Sequence, residues 1–243
     1  MISFFRPFGV LVFFGLILSQ ESHAQLFSKE RIQNGASMDQ KKISWGYFLG
    51  FNNFDFNIDY KEDLKDIQTE RSTGFNVGLI GNVRINDYID IRLEPGLTIS
   101  KRNLQYDSLY FLPETIPTKS DLTREVPSTY IYVPLLVKFS TKRINNFKPF
   151  VVGGIATALN LSSNEDNIND NSQGDWRSKK NVLFYEVGFG IDFYLYWFKF
   201  TPTIRGIFGL TNEVTPDIDP DSPWTGNIAK MQSRGVFINF TFQ

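Results

Sequence analysis

Charged side chains with a common spacing are the residues in this sequence that could do chemistry. Each falls on the polar side of a segment in which polar and apolar residues alternate: Arg84, Arg92, Glu94, Lys138, Glu186, Asp192, Lys199 and Arg205. Brought together, such acids and bases could line an ion path or supply an acid/base pair. They could also pair with one another inside the fold, since buried charges are costly unless they are paired. Because five are basic and three are acidic, the near balance favours a paired network with a structural role.

Histidine and cysteine, which many enzymes use as catalytic side chains, are almost missing from the sequence. The chain has no cysteine, and its one histidine is His23. The absence of cysteine excludes thiol catalysis and disulfides. Ser–His and Asp–His mechanisms are excluded once processing removes His23. Two acidic runs, 164–167 and 217–221, lack the spacing of a calcium-binding loop and are predicted to be solvated. The sequence predicts no enzyme, no catalytic residue, no cofactor and no metal site.

The composition is that of a neutral, aromatic chain of single-domain length. It has 243 residues with 25 basic and 26 acidic side chains, and its 24 phenylalanines bring the aromatic share to 16%. The neutral balance gives no reason to expect nucleic acid as a partner. After the N-terminus, no apolar run reaches the about 20 residues that a membrane helix needs. Many aromatic residues without such a run favour a β-barrel as the membrane form.

The first 24 residues have the pattern of a secretory signal peptide. Arg6 supplies the positive flank, Phe8 to Leu18 the apolar segment, and Ser22-His23-Ala24 a small-residue cleavage site. We expect cleavage after Ala24; the alternative is a retained anchor. Residues 25–42 are polar and lack periodicity, so they are predicted to form a periplasmic N-terminal tail that could also enter the lumen as a plug. Residues 43–243 then form the folded domain.

Alternation of apolar and polar residues, which is typical of strands with two different faces, begins at Ile43. Eight segments show it, at about 43–58, 74–85, 89–100, 130–139, 147–161, 183–193, 198–211 and 235–243, the last extending back toward Ile228. In the first segment the parity of the apolar residues changes at Asn52 and Asn53, which we interpret as a β-bulge. The fold class is therefore all-β, with eight strands.

The segments between these strands alternate in length. Long polar connections fall at about 59–72, 103–127, 162–180 and 212–227, and short ones at 86–87, 141–146 and 195–196. Bacterial outer-membrane barrels have an even number of antiparallel strands, short periplasmic turns and long extracellular loops. The pattern predicts an eight-stranded antiparallel transmembrane β-barrel in the bacterial outer membrane, in contact with its lipid.

Alternation alone does not decide which face points outward, since a soluble lipocalin-like barrel alternates too, with its apolar face inside. Three observations favour the membrane. The charged residues of the strands lie on the polar face, that face is rich in glycine, and aromatic residues collect at the turn-side ends of the apolar face. These residues predict a membrane girdle: Trp45, Tyr47, Phe139, Phe198, Phe240 and Phe242. Gly235–Gln243 is predicted to close the barrel by pairing with the strand around Trp45.

Three segments resemble a known family. They are Leu93-Glu94-Pro95-Gly96-Leu97, Tyr132-Val133-Pro134-Leu135-Leu136-Val137-Lys138 and Lys148-Pro149-Phe150-Val151-Val152-Gly153-Gly154. The chain is similar to the small outer-membrane barrels of Bacteroidota, and among them to the PorT-like family of the type IX secretion system. The resemblance implies a role in protein export, with other membrane proteins of the secretion system as partners. It supplies no catalytic residues.

Three functions are consistent with the sequence. The leading hypothesis is a non-enzymatic accessory or assembly component of protein secretion, because eight strands leave a lumen only wide enough for side chains. The alternative is a structural or adhesive barrel of the OmpA/OmpX sort, with its function in loops 103–127 and 162–180. A narrow, porin-like channel is the third.

Overall fold

The computed structural model describes residues 34–111, 116–167 and 174–243. The predicted signal peptide and the first part of the predicted tail lie outside these ranges. Within them the strands are β1 (Ile43–Tyr60), β2 (Gln68–Arg71), β3 (Thr73–Arg84), β4 (Ile89–Leu93), β5 (Gly96–Gln105), β6 (Thr123–Ser140), β7 (Phe147–Asn160), β8 (Asn181–Tyr194), β9 (Lys199–Gly209) and β10 (Ile228–Phe242). Short 3₁₀ helices cover Ala36–Asp39 and Ser108–Tyr110. No helix in the described ranges is long and apolar enough to cross a membrane.

The strands form one closed antiparallel ring. β1 pairs with β10 on one side and with β3 on the other, so the sheet has no open end. β2 and β3 are separated only at Ser72, and β4 and β5 only at Glu94 and Pro95, so each pair makes one wall strand. The wall therefore has eight strands, and the predicted fold class is confirmed.

The two faces of the wall divide as the alternation predicts. Apolar side chains point outward into the surroundings, and Trp45 is 75% exposed. Polar and charged side chains of the opposite parity, such as Arg92 and Asp192, are buried inside the ring. The outer surface is thus an apolar belt, as expected of a barrel that meets lipid.

The predicted bulge at Asn52 and Asn53 is wrong. The register of β1 against β10 runs without a break from Tyr47↔Phe242 to Asp59↔Lys230, and it shifts only beyond Asp59. Phe54 and Phe56 are therefore on the inward face, where Phe54 is completely buried. The parity of the apolar residues changes because the surroundings of β1 change, from lipid outside to an apolar interior.

The predicted strand ends are too short at the end of the ring that carries the long connections. β6 begins at Thr123 rather than near residue 130, and β5 continues to Gln105. A further strand, β2, lies inside the segment predicted as a loop. We call this end of the ring the loop end. The opposite end carries the short connections, the start of β1 and the end of β10, and we call it the turn end.

Residues before β1 cross the opening at the turn end. The Asn34 backbone N–H donates to Asn146 Oδ1 at 3.0 Å, in the connection between β6 and β7. The guanidinium of Arg143 donates to the Asn34 carbonyl and stacks on Tyr194, 3.8 Å from the ring centroid. β7 lies across the ring from β1. Residues 35–42 must therefore pass over the mouth of the lumen.

Candidate functional site: the filled lumen and the loop cluster

Charged side chains from four wall strands meet in the half of the lumen nearest the turn end. Arg205 Nη1 lies 2.9 Å from Glu94 Oε2 and 3.0 Å from Glu186 Oε2. The other oxygen of Glu94 lies 3.2 Å from Arg92 Nη1. One arginine is thus held between two carboxylates, and a second arginine shares one of them.

A second ion pair lies in the same region. Lys138 Nζ is 2.5 Å from Asp192 Oδ2, and both side chains are buried. The Thr201 hydroxyl donates to the other Asp192 oxygen at 2.7 Å. The Lys138 ammonium also lies 3.9 Å from the centroid of the Phe150 ring. Each charge therefore has an opposite charge and a further partner, as burial requires. We call these six residues the charge layer: Arg92, Glu94, Lys138, Glu186, Asp192 and Arg205.

Two of the eight charged residues singled out in the sequence lie at the turn-end limits of their strands. Arg84 ends β3 and forms an ion pair with Asp87 in the following turn. It lies apart from the charge layer because the wall strand ends there and the side chain reaches the turn instead. Lys199 is the first residue of β9 and is half-buried. Its charge acts on Asp192 and Lys138 of the charge layer, and its backbone N–H donates to the Gln243 carbonyl at 2.7 Å.

A layer of aromatic rings crosses the middle of the lumen. Phe54 lies 5.3 Å from Phe237 and 6.4 Å from Phe184, measured between ring centroids. Tyr130 and Tyr132 complete this aromatic layer, with ring centroids at 6.1 Å and 5.7 Å from Phe184. The Tyr132 hydroxyl donates to Glu186 Oε1 at 2.6 Å and so links the aromatic layer to the charge layer. Rings packed at these distances fill the middle of the lumen among the residues that the structure describes.

Arg102 and Glu213 form a second polar group on the loop side of the aromatic layer, and neither was predicted. Arg102 is 1% exposed; it donates to the Ser233 and Ser128 hydroxyls at 2.6 Å each, and its guanidinium stacks on Phe56 at 3.7 Å. Glu213 accepts from the Ser233 backbone N–H at 2.6 Å. Arg102 continues the parity of the predicted third strand, so extending that strand by two residues would have found it. Glu213 lies in a connection and has no periodic signal.

An apolar cluster, which we call the outer core, fills the lumen at the loop end. Strand residues such as Phe56 and Met231 meet residues of the connections such as Trp176. Its buried members are Phe56, Ile67, Leu104, Tyr106, Phe111, Val126, Trp176, Val214, Ile228 and Met231. Burial raises the pKa of the Tyr106 hydroxyl well above its usual 10.0. The connections therefore fold onto the barrel as part of one core.

Hydrogen bonds tie the connections at the loop end to one another. Lys61 Nζ donates to the Gly226 carbonyl at 2.7 Å, and the Tyr110 hydroxyl to the Lys65 carbonyl at 2.8 Å. Between these segments lies a cleft of about 340 Å³, which we call the loop cleft. It is lined by Lys61, Glu62, Leu64, Leu109, Tyr110, Pro220, Asp221, Ser222, Pro223, Gly226 and Asn227.

The acidic run 217–221 was predicted to be solvated, and this is wrong at Asp217, which is buried. Asp217 Oδ1 lies 3.3 Å from Arg177 Nη2, and its Oδ2 accepts from the Ser222 hydroxyl at 2.6 Å. In residues 34–111, 116–167 and 174–243, no group of three or more His, Cys, Asp or Glu side chains is placed to hold a metal ion.

The residues of the predicted girdle lie on the outward face near the turn end. Tyr47 stacks on Phe242 with ring centroids 5.3 Å apart, and Phe242 lies 6.0 Å from Phe198. Phe240 stacks on Phe200 at 6.1 Å. Trp45 and Phe139 are exposed on the same surface. The connection between β8 and β9 adds Tyr196 and Trp197, the latter 82% exposed. These two were missed because a turn has no alternation to mark them.

These features define a class of protein. A closed antiparallel ring with an apolar outer belt, aromatic residues at one rim and a packed interior is a small transmembrane β-barrel, one of the two forms that satisfy the backbone in lipid.

A family model described as outer membrane protein beta-barrel domain matches residues 23–215. The chain belongs to this family and is a small β-barrel of the bacterial outer membrane, in contact with lipid. The turn end accordingly faces the periplasm and the loop end faces outward.

Solved structures of small barrels are similar to this chain. OprG from Pseudomonas aeruginosa is 14% identical with a TM-score of 0.45, over 82% of this chain and 93% of that one. Neisserial surface protein A is 11% identical with a TM-score of 0.40, over 83% and 98%. Ail of Yersinia pestis, solved with a heparin analogue, is 12% identical with a TM-score of 0.40, over 83% and 99%. No curated protein sequence matches the chain.

Proposed function

We propose that the protein is a structural or adhesive barrel that presents its extracellular loops as a binding face. The outer core carries this proposal, because it makes the loops part of the folded barrel instead of a gate above an open pore. A binding surface held rigid by packing loses little conformational entropy when it takes a partner. The loop cleft, with Leu64, Leu109 and Tyr110 in its lining, is the candidate contact site.

The charge layer has a structural role in this proposal. Its carboxylates and cations are paired inside a closed ring, and the aromatic layer separates them from the outer core. Such a network holds the wall strands in register without requiring a path for solutes. The girdle residues have the matching role outside, where aromatic rings anchor a barrel at the membrane interface.

Display of the barrel on a host bacterium tests the binding function. Cells displaying the unaltered barrel should adhere to glycan- or peptide-coated surfaces, and cells displaying the double variant Leu64→Asp/Leu109→Asp should adhere much less. Ile116→Asp is the matched control, because Ile116 is 89% exposed in the same group of loops and does not line the loop cleft. Equal adhesion by the double variant and the control would rule out the loop cleft as the site.

A role in type IX secretion is the second candidate. Its support is the sequence resemblance. The exposed Tyr196 and Trp197 on the periplasmic rim would be the contact for other membrane proteins of the system. The segments that carry the resemblance lie in the wall, in β4–β5, β6 and β7. They therefore support the barrel fold more than they support a role in secretion. Deleting the gene and measuring export of type IX cargo separates the two candidates, since normal export would rule out the secretion role.

A further inference from the structure

The hydrogen-bonded ladder between the first two wall strands stops before their extracellular ends. β1 pairs with β3 from Ile43↔Val83 to Asn53↔Thr73. Beyond this point β1 continues to Tyr60, while β2 pairs with β5. The two strands face each other across a cleft of about 300 Å³. Unpaired backbone groups at such an edge are available to a ligand.

Two arginines meet one carboxylate at this cleft. Arg234 Nη2 lies 3.2 Å from Asp55 Oδ2, and Arg71 Nη1 lies 3.9 Å from the same oxygen. Each guanidinium has five N–H donors, and both side chains are about half exposed, at 55% for Arg71 and 51% for Arg234. Most of their donors therefore remain for a further acceptor. The fork of a guanidinium matches the oxygens of a phosphate group.

An apolar groove lies beside the charged cleft, on the membrane side. It has a volume of about 370 Å³, and Phe51, Phe75 and Ile99 line it together with Thr73. The outward face of β1 is apolar as far as Phe51 and carries Asp55 further out. The side of the groove formed by Phe51, Phe75 and Ile99 therefore faces the hydrocarbon layer. Ser72 and Lys101 line the groove toward the loop end, where the cleft lies.

The charges around the two sites leave a positive balance at Asp55. Arg71 and Arg234 share that single carboxylate. On the neighbouring strand, Lys101 Nζ is paired with Glu125 at 2.7 Å. Glu70 accepts from the Asn103 side chain. Asp66 is a second carboxylate in the lining of the cleft. An anionic group would be drawn to the two arginines.

We propose that strands β1, β2, β3, β5 and β10 form a binding site for a phosphorylated lipid of the outer leaflet. The phosphate binds between Arg71 and Arg234, and an acyl chain lies along Phe51, Phe75 and Ile99. The proposal rests on the position of the barrel in the membrane and does not depend on the loop-binding function. The charged cleft suits the phosphate group of such a lipid, and the apolar groove beside it suits an acyl chain.

Native mass spectrometry of the purified barrel in mild detergent tests this site. The probe is diphosphorylated lipid A, compared with the same lipid after removal of its phosphates. Arg71→Gln/Arg234→Gln should weaken binding of the phosphorylated lipid by about tenfold to thirtyfold, since each cation near a membrane surface contributes about 1 kcal/mol to binding anionic lipid. The matched control is Lys142→Gln/Lys148→Gln, which removes two cations near the periplasmic turn and should leave binding unchanged.

Two single variants test the two halves of the site. Asp55→Asn removes the carboxylate that competes with phosphate, so binding should become several-fold tighter, which a merely structural ion pair would not give. Thr73→Trp fills the groove and should weaken binding of the lipid. Circular dichroism confirms that each variant is folded.

Three results would overturn the proposal. They are unchanged binding by Arg71→Gln/Arg234→Gln, equal binding of the dephosphorylated lipid, and displacement of the lipid by an equal concentration of inorganic phosphate. The last result would show a bare anion site in place of a lipid site.

Discussion

At the scale of single residues, the buried charges of this barrel are paired with opposite charges. Lys138 meets Asp192, and Arg205 lies between Glu94 and Glu186. Removing one member of such a pair leaves a charge buried without its counter-charge, which costs more than the pair itself contributes.

Lys138→Met should therefore lower the free energy of unfolding by about 3–5 kcal/mol, because Asp192 stays buried without its partner. The double variant Lys138→Met/Asp192→Leu should recover most of this loss. Urea unfolding of the barrel in lipid vesicles, followed by tryptophan fluorescence, gives both values. A double variant less stable than the single one would show that Asp192 is stabilised mainly by other groups.

Glu213 should make stability depend on pH. Burial raises the pKa of this carboxyl above its ordinary 4.5, although the nearby Arg102 opposes the shift. The folded state then holds the proton more tightly than the unfolded chain does. The stability gained from protonation is present at low pH and is lost as the pH rises from 4.5 through the raised pKa.

Replacing the carboxyl tests this dependence. Glu213→Gln should flatten the fall in unfolding free energy over the acidic range, measured by urea unfolding at a series of pH values. Glu62→Gln, an exposed carboxyl in the first loop, is the control and should follow the unaltered protein. Identical profiles for Glu213→Gln and the unaltered protein would contradict the assignment.

At the scale of elements, β10 decides whether the ring closes. Its outward residues Phe240 and Phe242 stack on Phe200 and Tyr47, which belong to its two neighbours β9 and β1. The strand therefore has two tasks, pairing with β1 through its backbone and completing the girdle through its rings.

Phe240→Asp/Phe242→Asp should prevent assembly, because it places two charges on the lipid-facing surface, where charged side chains are destabilising. The measurement is the amount of folded barrel in the outer-membrane fraction. Gln232→Asp changes the same face of β10 beyond the apolar belt and should assemble at the normal level. Normal assembly of the double variant would mean that the face assignment of β10 is wrong.

At the scale of the whole molecule, the lumen is closed in layers. The charge layer lies toward the periplasm, the aromatic layer crosses the middle, and the outer core joins the loops. These layers bring side chains of the wall and of the connections together, which makes the barrel a rigid support for its loops.

The unaltered barrel should show no steady conductance in a planar lipid bilayer, because the aromatic layer blocks an ion path. A large open porin inserted in the same bilayer is the positive control. Regular single-channel steps from the purified barrel would contradict this closure and would favour the third function, a narrow channel.

The alternation of residue types determined much of this fold by itself. Inward and outward positions on strands such as β8 follow directly from the period of two, because lipid and lumen demand opposite chemistry on the two faces. The lengths of the connections fixed the strand count and the two ends of the barrel. The same alternation predicted correctly that six of the eight charged residues singled out in the sequence lie in the charge layer of the lumen.

Other features were decided only by the tertiary structure. Phe54 and Phe56 are apolar like the outer belt, yet they lie inside, because the lumen is apolar toward the loop end. The parity of a strand alone does not show whether its apolar face meets lipid or an apolar lumen. Glu213 and Trp176 come from connections without periodicity and are brought to the lumen by packing. The gap between β1 and β2 likewise depends on which backbone groups meet across the wall. The sequence by itself determined the strands and their two faces, because those follow from local chemistry; the filling of the lumen and the sites on the wall required the ring to close.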